Sequence, residues 1–180
     1  MGAPLPMRKM GDAPIYQIEL PRNEDDLRAI FLAGDVVRNL RDARAANNLD
    51  TFLYIPAYTG FFIVLGVILR RVDPKWAGIL FWVAFVAAPL AAVFDWTENF
   101  GIANALNHFA SDGGPHPGDA IRIAAPSLIK WLLVTGVLFF YGVCAIRKPK
   151  LWRVAVAVLT FAFGASFAVM LGRYAAERLG

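Results

Sequence analysis

Asp95, Glu98 and Asn99 close a long apolar run, in the stretch Phe94-Asp95-Trp96-Thr97-Glu98-Asn99-Phe100, and their spacing gives them a common direction. At about 100° per residue on a helix, the three side chains fall within one third of the circumference. Two carboxylates and an amide on one face can hold a polar ligand. A desolvated Glu98 or Asp95 could also transfer protons on it. A second apolar run is interrupted by Lys130, whose ammonium could stabilise negative charge developing on the same ligand. Glu98, Asp95 and Lys130 are therefore the candidate catalytic residues. A charge at such a position costs a few kcal/mol unless it finds a partner.

The partners follow from a count of depth. The basic turns Arg70 to Lys75 and Arg147 to Arg153 give four apolar runs a common origin. At 1.5 Å per residue, Lys130 lies roughly 24 Å in, Asp95 about 28 Å, Asp50 about 30 Å, and Glu98 and Arg173 about 33 Å. All five share one layer. The expectation is that Lys130 pairs with Asp95 or Glu98, and that Asp50, Tyr54, Tyr58, Asn99 and Arg173 complete a ligand-binding pocket. Each residue also has a plain structural role open to it. Lys130 can snorkel to the interface, Asp50 can cap a helix, and Arg173 can answer a helix dipole. The acidic face can serve as an ion-pair and hydrogen-bond network.

Composition sets the class. Of 180 residues, 58% are hydrophobic and 18% charged, with a mean hydropathy of +0.50. Soluble chains carry about a quarter charged residues, so this one belongs in lipid. The net charge of +4 and pI near 9.5 come from short basic clusters beside apolar runs. That distribution suits anionic headgroups and excludes a nucleic-acid face. Cys144 is the single cysteine, so no intrachain disulfide or cysteine metal site can form. His108, Asp112, His116 and Asp119 are metal-ligand types, but they are spread over a Gly-Pro loop without ligand spacing, and no metal site is expected. No histidine falls within a span, which argues against a haem bundle. No cofactor is expected. The N-terminal stretch has Arg8 and Lys9 but no apolar core before Asp12 and Pro14, so insertion is expected to rely on internal spans.

These residues need helices to position them. Residues 1–22 read as an irregular, proline-rich leader. Asn23 offers an N-cap, with Glu24, Asp25 and Asp26 in the first turn, for an amphipathic helix over 23–48. That helix is too polar to span. It is expected flat on the membrane surface or packed over the ends of the spans. A membrane domain follows over 50–172, with spans at about 50–70, 76–106, 120–146 and 151–172, each long enough to cross about 30 Å of hydrocarbon. His108 to Asp119 forms a loop, and 173–180 a polar tail. The fold class is all-α: four transmembrane helices in an up-down bundle preceded by an amphipathic surface helix. Gly164, Ala168 and Gly172 form a small-residue face that suits a protein partner or a second copy.

Two fragments, Leu49-Asp50-Thr51-Phe52-Leu53-Tyr54-Ile55-Pro56-Ala57-Tyr58 and Asp95-Trp96-Thr97-Glu98-Asn99, resemble a pattern seen in uncharacterised bacterial four-helix integral membrane proteins. The resemblance implies only the same four-helix arrangement, and it ties Asp50 to the Asp95, Glu98 and Asn99 triplet; the expected location is a bacterial inner membrane.

The functional expectation is a polytopic membrane protein whose carboxylate, amide and lysine pocket binds a lipid-like or amphipathic small molecule. The alternative is an accessory or scaffold subunit in which the same polar face is glue. A weaker one is ion or proton passage through an oligomer, since charges confined to one layer offer no relay across four helices. The compact basic turns are expected in the cytoplasm, which places the pocket on the outer side.

Overall fold

The computed structural model describes residues 18–72, 74–146 and 151–179, and among the described residues there is no strand. Helices α1 (Glu24–Phe31), α2 (Val36–Leu49), α3 (Ile55–Val72), α4 (Ala77–Trp82), α5 (Ala88–Asp112), α6 (Asp119–Ile146) and α7 (Leu151–Leu179) follow in order. A π-type turn at Asp50–Tyr54 links α2 to α3, and another at Val83–Ala87 links α4 to α5. Each ends two residues before a proline, Pro56 or Pro89. A proline brings no N–H to the turn behind it, and the wider turn absorbs that loss.

Among the described residues, four stretches are long and apolar enough to cross a membrane, Val36–Arg71, Ala77–Asp112, Asp119–Ile146 and Arg153–Arg173, and an 18-residue window in each has a mean hydropathy of 2.1, 2.3, 2.0 and 2.3 respectively. No more than 44% of any of these apolar windows is buried within the protein. So much outward-facing apolar surface requires lipid, which makes this a multi-pass integral membrane protein.

The chain divides into two compact units. The first comprises Met1–Leu53 and Asp95–Ser127, the second Tyr54–Phe94 and Leu128–Gly180. Within the first unit, the Asn23 side chain accepts the Asp26 N–H at 3.0 Å and starts α1 as the sequence predicts. The helix expected over 23–48 is broken, however. Gly34 takes a positive φ of 70°, and the Asp35 side chain caps α2 through the Arg38 N–H at 3.0 Å. Buried Asn39 then donates to the Phe31 and Ala33 carbonyls left open at the end of α1 (3.3 and 2.6 Å). The apolar face of α1, Leu27, Ile30 and Phe31, packs with Ile102, Leu106 and Phe109 of α5 and Ile123 of α6. This short helix therefore covers helix ends rather than lying alone on lipid.

Asp50 does not cap a helix. It is helical itself (φ −61°, ψ −51°), and its N–H is shared between the Ala46 and Asn47 carbonyls. Nothing between Ala45 and Leu49 breaks a helix, so α2 runs on into the first span. The loop expected over His108 to Asp119 is also shorter. Helix α5 continues through Asp112, and Gly113 and Gly118 make the turn with positive φ values of 75° and 91°. Most of the leader, Asp73 and the Arg147–Lys150 turn lie outside the described residues.

Gly101 brings α5 close to α6. A Cβ there would lie 3.0 Å from the Arg122 carbonyl oxygen. That carbonyl sits four residues before Pro126, which has no N–H to give it. Within the second unit, α3, α4 and α6 pack through Phe62, Leu65, Leu69, Leu80, Val137 and Tyr141, with Ala157 of α7. Gly164 of the small-residue face meets the Phe139 ring of its own chain, where a Cβ would lie 3.2 Å away, while Ala168 and Gly172 are exposed. The Cys144 thiol is buried.

Candidate functional site

The acidic face forms on α5 where the sequence places it. Asp95, Glu98 and Asn99 are 3%, 1% and 5% exposed, so the common direction inferred from their spacing is a buried one. Facing Asn99 in the first unit is the junction of α2 with its π-type turn. The Asn99 amide donates to Asp50 Oδ2 at 2.8 Å and to Thr51 Oγ1 at 3.0 Å. In return, Asn47 Nδ2 donates to the Asn99 carbonyl at 3.2 Å. The Thr51 hydroxyl donates back to the Asn47 carbonyl at 2.8 Å.

One backbone oxygen in this seam explains a tryptophan. The Thr51 carbonyl stands five residues before Pro56, the donor position of a π-type turn, and proline has nothing to donate. The Trp96 indole N–H fills the gap at 3.1 Å. Farther along, Arg44 Nη2 donates to Asn107 Oδ1 at 2.8 Å. The contacts pair 44 with 107, 47 and 50 with 99, and 51 with 96, the order of antiparallel helices. Hydrogen bonds of this kind hold helices together where lipid supplies no hydrophobic drive.

Asp50 and Asn99, joined by the resemblance, are thus in direct contact. Asn47, Thr51 and Trp96 belong to the seam and were not singled out from the sequence. The available signal was the Asn47, Asp50, Thr51 spacing, which puts three polar groups on one helical face just before an apolar run. The remaining candidates lie in the second unit. Lys130 is 3% exposed, with its ammonium 4.7 Å from the centre of the Trp131 ring, a cation–π distance. Tyr58 is half-buried against Phe62, with ring centres 5.8 Å apart. Tyr54 is 57% exposed, and Arg173 is exposed.

A second polar cluster closes the turn between α5 and α6. Asp119, fully buried in the first turn of α6, accepts the His116 backbone N–H and bonds His108 Nδ1 through the same oxygen, Oδ2, both at 2.8 Å. Asp112 bonds His116 Nε2 at 2.7 Å, and the two imidazoles stack 3.8 Å apart within 10° of parallel. Parallel rings hold their in-plane nitrogen lone pairs in separate parallel planes, so they do not converge on one ion. From α1, Glu24 Oε1 accepts the Gly118 N–H at 2.8 Å. The cluster fastens a turn. Replacing Asp119 with alanine removes two acceptor contacts from the interior and should destabilise the protein by about 2 to 4 kcal/mol. Thermal unfolding in detergent measures this, and a midpoint equal to the parent's would show that the turn holds without its carboxylate.

Fold and seam together define a class, the multi-pass α-helical membrane protein with a buried acid and amide face. Beyond that class, no protein-family model, curated protein or solved structure matches the chain.

Proposed function

We propose that this protein is an up-down bundle of four membrane spans that binds a lipid-like or other amphipathic molecule at the acidic face of its second span. The observation that carries the reading is burial. Asp95 and Glu98 are 3% and 1% exposed in a helix long and apolar enough to cross a membrane. Ionisable groups kept there at a cost of several kcal/mol mark functional sites by default, and helix bundles hold ligands among such side chains. Asp50 and Asn99, bonded to one another, supply the amide and a further carboxylate. From the count of residues along the spans, we assign Lys130 as the counter-charge of this face. Arg173 shares its depth by the same count, and Tyr54 and Tyr58, one and two helical turns beyond Asp50, are proposed to complete the pocket. If the ligand is transformed, Glu98 or Asp95 moves the proton and the Lys130 ammonium stabilises the negative charge that develops. A bacterial inner membrane, with the pocket toward the outer side, is part of the same proposal.

The test is binding of a photoreactive fatty-acyl probe to detergent-purified protein. Glu98→Gln and Lys130→Met should each lower labelling about tenfold, an order suited to losing one charged contact. Their unfolding midpoints identify any loss that comes from misfolding. Labelling as strong as the parent's in both folded variants would defeat the proposal.

One observation favours a second reading. The amide groups of Asn47 and Asn99 and the indole of Trp96 all end on acceptors of the same chain, as structural glue would. In that reading the protein is an accessory or scaffold subunit. It would then copurify in mild detergent with a stoichiometric protein partner.

A further inference from the structure

The helical stretch Val36–Arg71 has 36 residues, of which about 20 suffice to cross about 30 Å of hydrocarbon. With Arg70 and Arg71 at one interface, the hydrocarbon ends near Asp50, and α2 passes through the headgroup layer. Along α2 in the first unit runs an open groove of about 670 Å³, whose walls include Leu40, Arg41, Arg44, Ala45, Asn48 and Phe109. Its charge is positive. Arg44 is bonded to the neutral amide of Asn107 and, among the described residues, pairs with no carboxylate. Arg38 and Arg41 share the single Asp42 carboxylate, at 3.5 and 3.3 Å, with all three side chains at least half exposed. Toward the membrane the same helical face continues from Arg41 through Ala45 and Asn48 to Phe52, and Phe52 is 78% exposed. Guanidinium groups with the Asn48 amide and apolar Ala45 and Phe52 beyond them match an anionic head and its ester linkage above an acyl chain.

We propose that this groove is a docking site for an anionic phospholipid of the surrounding leaflet. Its phosphate lies between Arg41 and Arg44, and a chain runs down past Ala45 toward Phe52. Arginine forks suit phosphate oxygens, and basic residues at this level attract anionic headgroups. The site shares no charged residue with the acidic face and stands independently of that reading.

The experiment is native mass spectrometry of the full chain released from vesicles holding equal amounts of phosphatidylglycerol and phosphatidylcholine. The parent should retain phosphatidylglycerol preferentially. Arg41→Gln with Arg44→Gln should cut that preference about thirtyfold, the scale expected from two headgroup-level charges. Arg41→Lys with Arg44→Lys should keep most of it, and so should Arg70→Gln with Arg71→Gln at the opposite interface. A parent without preference, or a glutamine pair that retains it, overturns the proposal. Displacement of the lipid by millimolar inorganic phosphate also overturns it, because the site would then select free phosphate. Circular dichroism of the glutamine pair must match the parent's. If it does not, Arg44→Gln alone is read in its place, and an unchanged preference there counts against the site.

Discussion

Replacing Gly66 with alanine should destabilise the second unit by about 2 to 3 kcal/mol, although alanine is the better helix former by about 1 kcal/mol. The added Cβ would stand 2.5 Å from the Ala84 Cβ and 2.5 Å from the Tyr141 hydroxyl oxygen. Neither neighbour is the loose end of a flexible chain. Ala84 belongs to the second π-type turn, and Tyr141 is fully buried with its hydroxyl donating to the Phe62 carbonyl at 2.9 Å. Relief requires either parting α3 from that turn or breaking the buried hydrogen bond, and the second route leaves a hydroxyl without a partner. Tyr141→Phe removes only the hydrogen bond and should cost about 1 kcal/mol. Gly60→Ala, on the same helix with nothing within 4 Å of the new methyl, should be neutral or slightly stabilising. Unfolding in mixed micelles with increasing SDS measures all three. An alanine at 66 as stable as one at 60 would show that α3 does not approach its neighbours this closely.

Asn99→Asp should be at least as damaging, about 3 kcal/mol, for an electrostatic reason. The substitution changes one nitrogen to oxygen and nothing in volume. Yet it turns the donor that bonds Asp50 Oδ2 at 2.8 Å into a second carboxylate at that distance. It also withdraws the donor from Thr51 Oγ1 at 3.0 Å. Asn99→Ala loses the same hydrogen bonds without adding charge and should fall between parent and aspartate. The ordering parent, alanine, aspartate is the expected result in the same SDS unfolding series. If aspartate is tolerated as well as alanine, the contact between Asp50 and Asn99 contributes little.

Much of this seam was legible in the sequence, and the part that was not has a common cause. Asp95, Glu98 and Asn99 share a buried face because helical periodicity fixes the relative direction of residues three and four apart, whatever surrounds them. The depth count drew Asp50 toward the triplet, and it bonds Asn99. Its expected role as a cap failed because capping depends on where the preceding helix stops. No breaker stops α2, and a π-type turn carries it onward. Trp96 had no role legible in the sequence. Its indole is fixed by a carbonyl that Pro56 leaves open on another helix. Gly164 illustrates the reverse. A stripe that suits a partner in sequence is partly filled by Phe139 of the same chain.

By itself, the sequence determined a multi-pass helical membrane protein, the start of α1 at Asn23 and the shared face on α5. Hydropathy, helix period and capping chemistry act over a few neighbouring residues, so a linear reading captures them. Tertiary structure alone decided that α1 covers the ends of α5 and α6, that Gly66 is a point of contact for Ala84 and Tyr141, and which acceptor each amide of the seam meets. Those outcomes depend on which backbones come within a few ångströms after long stretches of chain have returned, a property of packing that no local window contains.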